Sequence, residues 1–148
     1  MTASPEELVV LDANILVHLL RMDSTGTAIE AEHRLTARRE RPILSSVVEA
    51  EILSFTRYNR WGQEQIDLLL DLLGTLLRVD AGHPDVVAAY IDLYCEARRR
   101  GRYRQFRQND LWIAATARAA QAVVYTMNGK DFDWIDPAYL KIVHVRQA

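Results

Sequence analysis

Four carboxylates in this chain occupy positions where an acid has uncommon potential. Asp12 ends the apolar run Leu8 to Leu11, Glu51 interrupts an apolar helical stripe, Asp110 opens an alanine-rich helix, and Asp131 follows the apolar run Ala122 to Thr126 in the turn MNGKDFD. Ligands of open α/β sheets bind beyond the carboxyl ends of the strands, so acids there carry more weight than acids elsewhere. Each has a plainer use: a helix cap for Asp12 and Asp110, an arginine salt bridge for Glu51, turn chemistry for Asp131. Their joint pattern points to convergence. Carboxylates gathered in one pocket repel one another unless divalent cations are present, and hard oxygen donors select Mg²⁺ or Mn²⁺.

Two glutamates two residues apart separate by helix geometry. At about 100° per residue, Glu51 shares a face with Val47, Val48, Phe55 and Tyr58, which is expected to be the core side. A charge buried there needs a cation, a partner or a raised pKa, because leaving it alone costs several kcal/mol or more. Glu49 points roughly 200° away. Ser46-Val47-Val48-Glu49 fits the S-x-x-E capping box, so Glu49 is assigned to structure.

The elements that must hold these acids alternate along the chain. Short apolar runs predict strands at 8–11, 43–44, 77–79, 122–126 and 141–145, the last with the alternation of an edge strand. Helical spacing covers 14–20, 25–39, 46–60, 64–77 (interrupted by Gly74), 84–100 and 110–120. Pro84 suits a first helical turn and Gly101 a stop. Alternating strands and helices predict an α/β domain around a mainly parallel sheet, spanning 1–148 as one unit without a linker or repeat.

Composition narrows the classes further. A chain of 148 residues with 49% apolar content can build one substantial core. Six of its 18 basic residues lie between Arg98 and Arg107, where there is no acid, so a basic arm sits on an acidic body. Within it, Arg102, Arg104 and Arg107 are candidates for phosphate contacts, and Tyr103 and Phe106 for stacking on unpaired bases, against the plainer reading of a solvated charge run. The lone Cys95 cannot form an internal disulfide and reads as a small core residue; without a leader pattern or an apolar run of about 18 residues, a cytoplasmic protein is expected. His18, His33, His83 and His144 lack HxxH or HExxH spacing and read as ordinary residues. No GxxxxGK[ST], GxGxxG or GxSxG supports a nucleotide-binding or serine-hydrolase reading.

Four segments carry a family resemblance: LDANIL at 11–16, SSVVEAEIL at 45–53, NDLWIAATA at 109–117 and TMNGKDF at 126–132. In order and spacing the chain resembles the PIN-domain family, and within it the VapC-type toxins of bacterial toxin-antitoxin pairs. The third segment is the most specific. The resemblance implies a three-layer α/β/α sandwich, metal-dependent hydrolysis of RNA phosphodiesters and an antitoxin partner, and it suggests a homodimer. It places the family's acids, as catalytic residues and Mg²⁺ or Mn²⁺ ligands, on Asp12, Glu51, Asp110 and Asp131, with Asn14 and Thr126 in supporting roles. Two departures stand out: Ala13 replaces a frequent threonine, and Lys130 lies beside Asp131, where it could pair with the acid. Two other classes compete. One is a phosphohydrolase or phosphoacceptor domain with Asp12 as nucleophile, weakened by Asn14 where the haloacid-dehalogenase pattern has a second aspartate; the other is a catalytically idle RNA- or protein-binding domain.

Overall fold

The computed structural model describes residues 2–101 and 108–147. Five parallel strands form one sheet in the order β3-β2-β1-β4-β5: β1 (Val9–Leu11), β2 (Ile43–Ser45), β3 (Leu77–Val79), β4 (Val123–Thr126) and β5 (Ile142–His144). Every residue of β1, β2 and β4 is buried, because crossover helices cover both faces. The helices are α1 (Ala13–Arg21), α2 (Ser24–His33), α3 (Ser46–Tyr58), α4 (Gln63–Gly74), α5 (Pro84–Arg99) and α6 (Gln108–Ala120). The chain winds outward from β1 through β2 to β3, then returns to place β4 on the other side of β1. That reversal opens a crevice beyond the carboxyl ends of β1 and β4.

Most expected elements are present with ends shifted by a few residues, and some differences have local causes. The helix expected over 25–39 stops at His33, since Arg34 adopts a left-handed conformation (φ 50°) and the chain continues as a short 3₁₀ turn at Leu35–Ala37. Helix α4 ends at Gly74 instead of continuing through it. Cys95, expected in the core, is exposed on α5, whose buried stripe is Val86, Ala89, Leu93 and Ala97.

The capping box expected at Ser46 does not form. Ser45 is the N-cap of α3, accepting from the Val47 amide at 3.1 Å, while the Ser46 hydroxyl accepts from the Ala81 amide at 2.9 Å. Glu49 instead reaches Arg78 of β3, with both carboxylate oxygens 3.2 Å from Nε. Its role is structural, as anticipated, but through an ion pair.

The N-terminal segment is fastened to the sheet. The buried Tyr125 hydroxyl accepts from the Ala3 amide at 2.8 Å and lies 2.9 Å from the Thr2 hydroxyl, which contacts His33 Nδ1 at 3.0 Å. Helices α1 and α2 meet at Gly26, where an added Cβ would fall 1.9 Å from the His18 carbonyl oxygen. A backbone atom cannot swing aside as a side chain can. Gly26→Ala is therefore expected to lower unfolding stability by about 3 kcal/mol, at the upper end of overpacking penalties, measured by urea denaturation.

Candidate active site

The crevice at the reversal point is a cleft of about 1080 Å³ whose lining includes Asp12, Glu51, Asp110 and Asp131. The four come from four separate places: the end of β1, the middle of α3, the first turn of α6 and a 3₁₀ turn (Gly129–Asp131) after β4. The structure thus brings all four sequence-predicted acids to one cavity. Helix α6 starts earlier than expected, so Asn109 lies inside it, lining the same cleft beside Asp110.

Asp12 is the most constrained. Its residue is only 6% exposed, and the strand-to-helix junction leaves its carboxylate bridging two elements: Oδ1 accepts from the Ala13 amide and Oδ2 from the Thr126 hydroxyl, both at 2.8 Å. Desolvation raises its pKa above the ordinary carboxylate value, and the negative charge of Asp131 adds to that rise against the lowering effect of those hydrogen bonds. A carboxylate stressed chiefly by burial, with a second acid nearby, gains from a positive charge placed beside it.

Thr126 and Asn14 knit the floor of the cleft. Thr126, fully buried at the end of β4, donates to Asp12 and accepts from the Asn128 amide at 3.0 Å. Asn14 Oδ1 accepts from the Met127 amide at 3.2 Å, and its side chain also hydrogen-bonds Asp12. Asp12 thus receives a hydroxyl from the neighbouring strand. Thr126→Val removes the donor at nearly constant volume, and it is expected to weaken Mg²⁺ or Mn²⁺ affinity about 10- to 100-fold, the range for outer-shell partners, as read by metal titration.

Glu51 and Asp110 are half-buried, each with one carboxylate oxygen out of solvent. The stripe assigned to the core by helical spacing is displaced by one position: Val48, Ile52 and Thr56 are the buried residues of α3, whereas Val47, Glu51, Phe55 and Tyr58 line the cleft. Glu51 faces the cavity because α3 packs on the sheet through the adjacent stripe. Asp131 is half-buried and no ion pair joins it to Lys130, which is exposed. The predicted RNA contacts Arg102, Tyr103, Arg104, Phe106 and Arg107 lie outside the described residues.

The donors of the cleft are oxygens, which suits Mg²⁺ or Mn²⁺. Among the described residues no three His, Cys, Asp or Glu side chains close into a ready metal cage. Mg²⁺ does not require one, since it retains several waters and binds through one or two carboxylates. The buried, charge-stressed Asp12 and the acids around it fit such an ion.

Sequence reasoning missed part of this wall. His18, read as ordinary, lies one turn beyond Asn14 on α1 and lines the cleft, and its Nδ1 is 2.8 Å from Asp23 Oδ2. Asp23 also caps α2, accepting from the Gly26 amide at 2.8 Å, and this bond, with His18 a smaller contributor, lowers its pKa. No simple periodic signal could have found it, since Asp23 lies five residues away across a helix end.

Comparison with solved structures gives the same architecture. The chain is similar to one in VapBC2 from Rickettsia felis bound to a DNA fragment from their promoter (24% identity, 93% of this chain and 98% of that one, TM-score 0.77). It is also similar to one in VapBC-1 from nontypeable Haemophilus influenzae (24%, 93% and 97%, 0.74) and one in DNA-bound VapBC from Salmonella typhimurium (16%, 93% and 98%, 0.75). These matches define the class of fold as that of chains in VapBC complexes. No match was found among curated proteins. The PIN domain model matches residues 9–136, and the chain belongs to the PIN domain family, in which nuclease activity is typical.

Proposed function

We propose that this protein is a metal-dependent endoribonuclease and the toxin of a toxin-antitoxin pair, acting in the cytoplasm with an antitoxin as its protein partner and working as a homodimer. The observation that carries the nuclease reading is the convergence of Asp12, Glu51, Asp110 and Asp131 on one cleft at the reversal point of the sheet. Asp12, Glu51 and Asp110 would hold the principal Mg²⁺ or Mn²⁺ between them, in part through waters the ion retains, with Asp131 helping to position a second ion or the attacking water. A bound divalent ion supplies an activated water and neutralises charge on the phosphodiester. The chain's own contribution is positioning. Thr126, Asn14 and the Ala13 amide fix the Asp12 carboxylate, and the buried floor keeps bulk water from one side.

The arrangement argues against Asp12 as a covalent nucleophile. Both its oxygens are engaged in hydrogen bonds, and Asn14 stands where the haloacid-dehalogenase pattern has a second aspartate. The test is incubation with total RNA in Mg²⁺, Mn²⁺ or EDTA, followed by sequencing of new ends. Metal-dependent cuts at defined sites are expected; intact RNA under all three conditions would refute the reading.

A further inference from the structure

Beyond the acids, the cleft changes character. Its lining includes Phe55 and Tyr58 of α3 and Val17 and His18 of α1. Tyr58 is 88% exposed and Phe55 39%, large rings left in water beside a polar cavity. Phe55 is nonetheless held, edge-on to Trp61 at 6.0 Å, while Arg21 lies 5.9 Å from the Trp61 ring. Such a surface suits the flat face of an unpaired base, which stacks on aromatics irrespective of sequence.

The imidazole adds chemical direction. An ionised carboxylate can only accept, so the His18–Asp23 contact requires Nδ1 to donate its hydrogen. In the neutral ring this fixes the tautomer and makes Nε2 an acceptor. An acceptor has nothing to offer a phosphate oxygen. It suits a hydroxyl donor, and the donor that RNA has and DNA lacks is the ribose 2′-hydroxyl.

We propose that this end of the cleft is a ribonucleotide subsite in which Phe55 and Tyr58 stack an unpaired base and His18, oriented by Asp23, accepts from its 2′-hydroxyl through Nε2. The subsite rests on the endoribonuclease reading for its substrate and adds the means by which ribose is told from deoxyribose. His18 is here a specificity residue, distinct from the acids.

The test measures binding and cleavage separately. Binding is followed by fluorescence anisotropy at pH 8 in protein carrying Asp110→Asn to block cleavage. The probes are labelled octauridylate and its deoxyribose counterpart. Octauridylate is expected to bind about tenfold more tightly, roughly the gain from one good polar contact. His18→Phe should bring the ratio close to one with deoxyribose binding little changed, while His18→Gln, which keeps an acceptor, preserves preference for ribose. Tyr58→Ala should weaken both probes about tenfold with the ratio intact, within the range for loss of a stacking platform.

An unchanged ratio in His18→Phe, or unaltered binding in Tyr58→Ala, overturns the subsite even if the native chain cuts RNA. A native chain that cuts no RNA while these shifts appear refutes the nuclease reading and leaves the subsite standing. Loss of a protein partner on His18→Phe and Tyr58→Ala, with oligonucleotide binding untouched, assigns the wall to protein and also overturns it.

Discussion

Asp12→Asn is expected to reduce metal-dependent RNA cleavage by at least about 100-fold, the scale on which removal of one charge-stabilising group acts, while the protein stays folded. Asparagine is as good an N-cap as aspartate, so helix α1 keeps its start and the fold has no reason to fail. The metal-free variant should in fact melt at a higher temperature at neutral pH. Native Asp12 has a raised pKa, so in the window between the ordinary value of 3.8 and the raised one the folded chain binds more protons than the unfolded chain. Stability therefore falls as pH rises through that window, and above it the full burial penalty is present. The variant carries no such penalty, and its advantage should shrink as pH falls toward the ordinary value. Adding Mn²⁺ should raise the midpoint of the native chain and leave that of the variant nearly still. Cleavage by Asp12→Asn at the native rate would remove Asp12 from the catalytic set.

Glu51→Gln and Glu49→Gln are expected to fail differently although they lie on the same helix. Glu51 lines the cleft, and losing its charge should lower cleavage by orders of magnitude and abolish the Mn²⁺-induced rise in thermal midpoint. Glu49 lies against Arg78, which is half-exposed, so Glu49→Gln removes a surface ion pair. That is worth about 0 to 1 kcal/mol, with cleavage near native. Paired cleavage and melting measurements, with and without Mn²⁺, decide between them. If Glu49→Gln kills cleavage while Glu51→Gln keeps it, the assignment of faces on α3 is wrong.

That contrast shows how much the residues disclose before a structure is known. The four acids were legible because each marks a boundary or breaks a pattern: Asp12 ends an apolar run, and Glu51 interrupts a stripe. Periodicity also separated Glu51 from Glu49, since their angular difference depends only on the helix. What it could not supply was the origin of rotation. Whether Val47 and Glu51 or Val48 and Ile52 meet the sheet depends on how α3 docks, a tertiary choice absent from the local pattern. The cap moved from Ser46 to Ser45 for the same kind of reason, because Ser46 is drawn to an amide 35 residues away. His18 was illegible because its significance lies in Asp23, and a five-residue separation that spans a helix end has no simple periodic signature. Cys95 misled through composition alone: a small thiol is usually buried, but here its helix turns that face to water.

The hydrogen bond between Thr126 and Asp12 spans 114 positions. Its strand, β4, lies beside β1 although β2 and β3 intervene in the chain, so the floor beneath the acids joins segments far apart in sequence. During synthesis Asp12 emerges well before its hydroxyl partner and must wait for it. Non-local pairing of this kind folds slowly, since loop closure is opposed before contacts reward it. A chain truncated before residue 126 lacks both the Thr126 hydroxyl and Asp131, so its cleft cannot be completed.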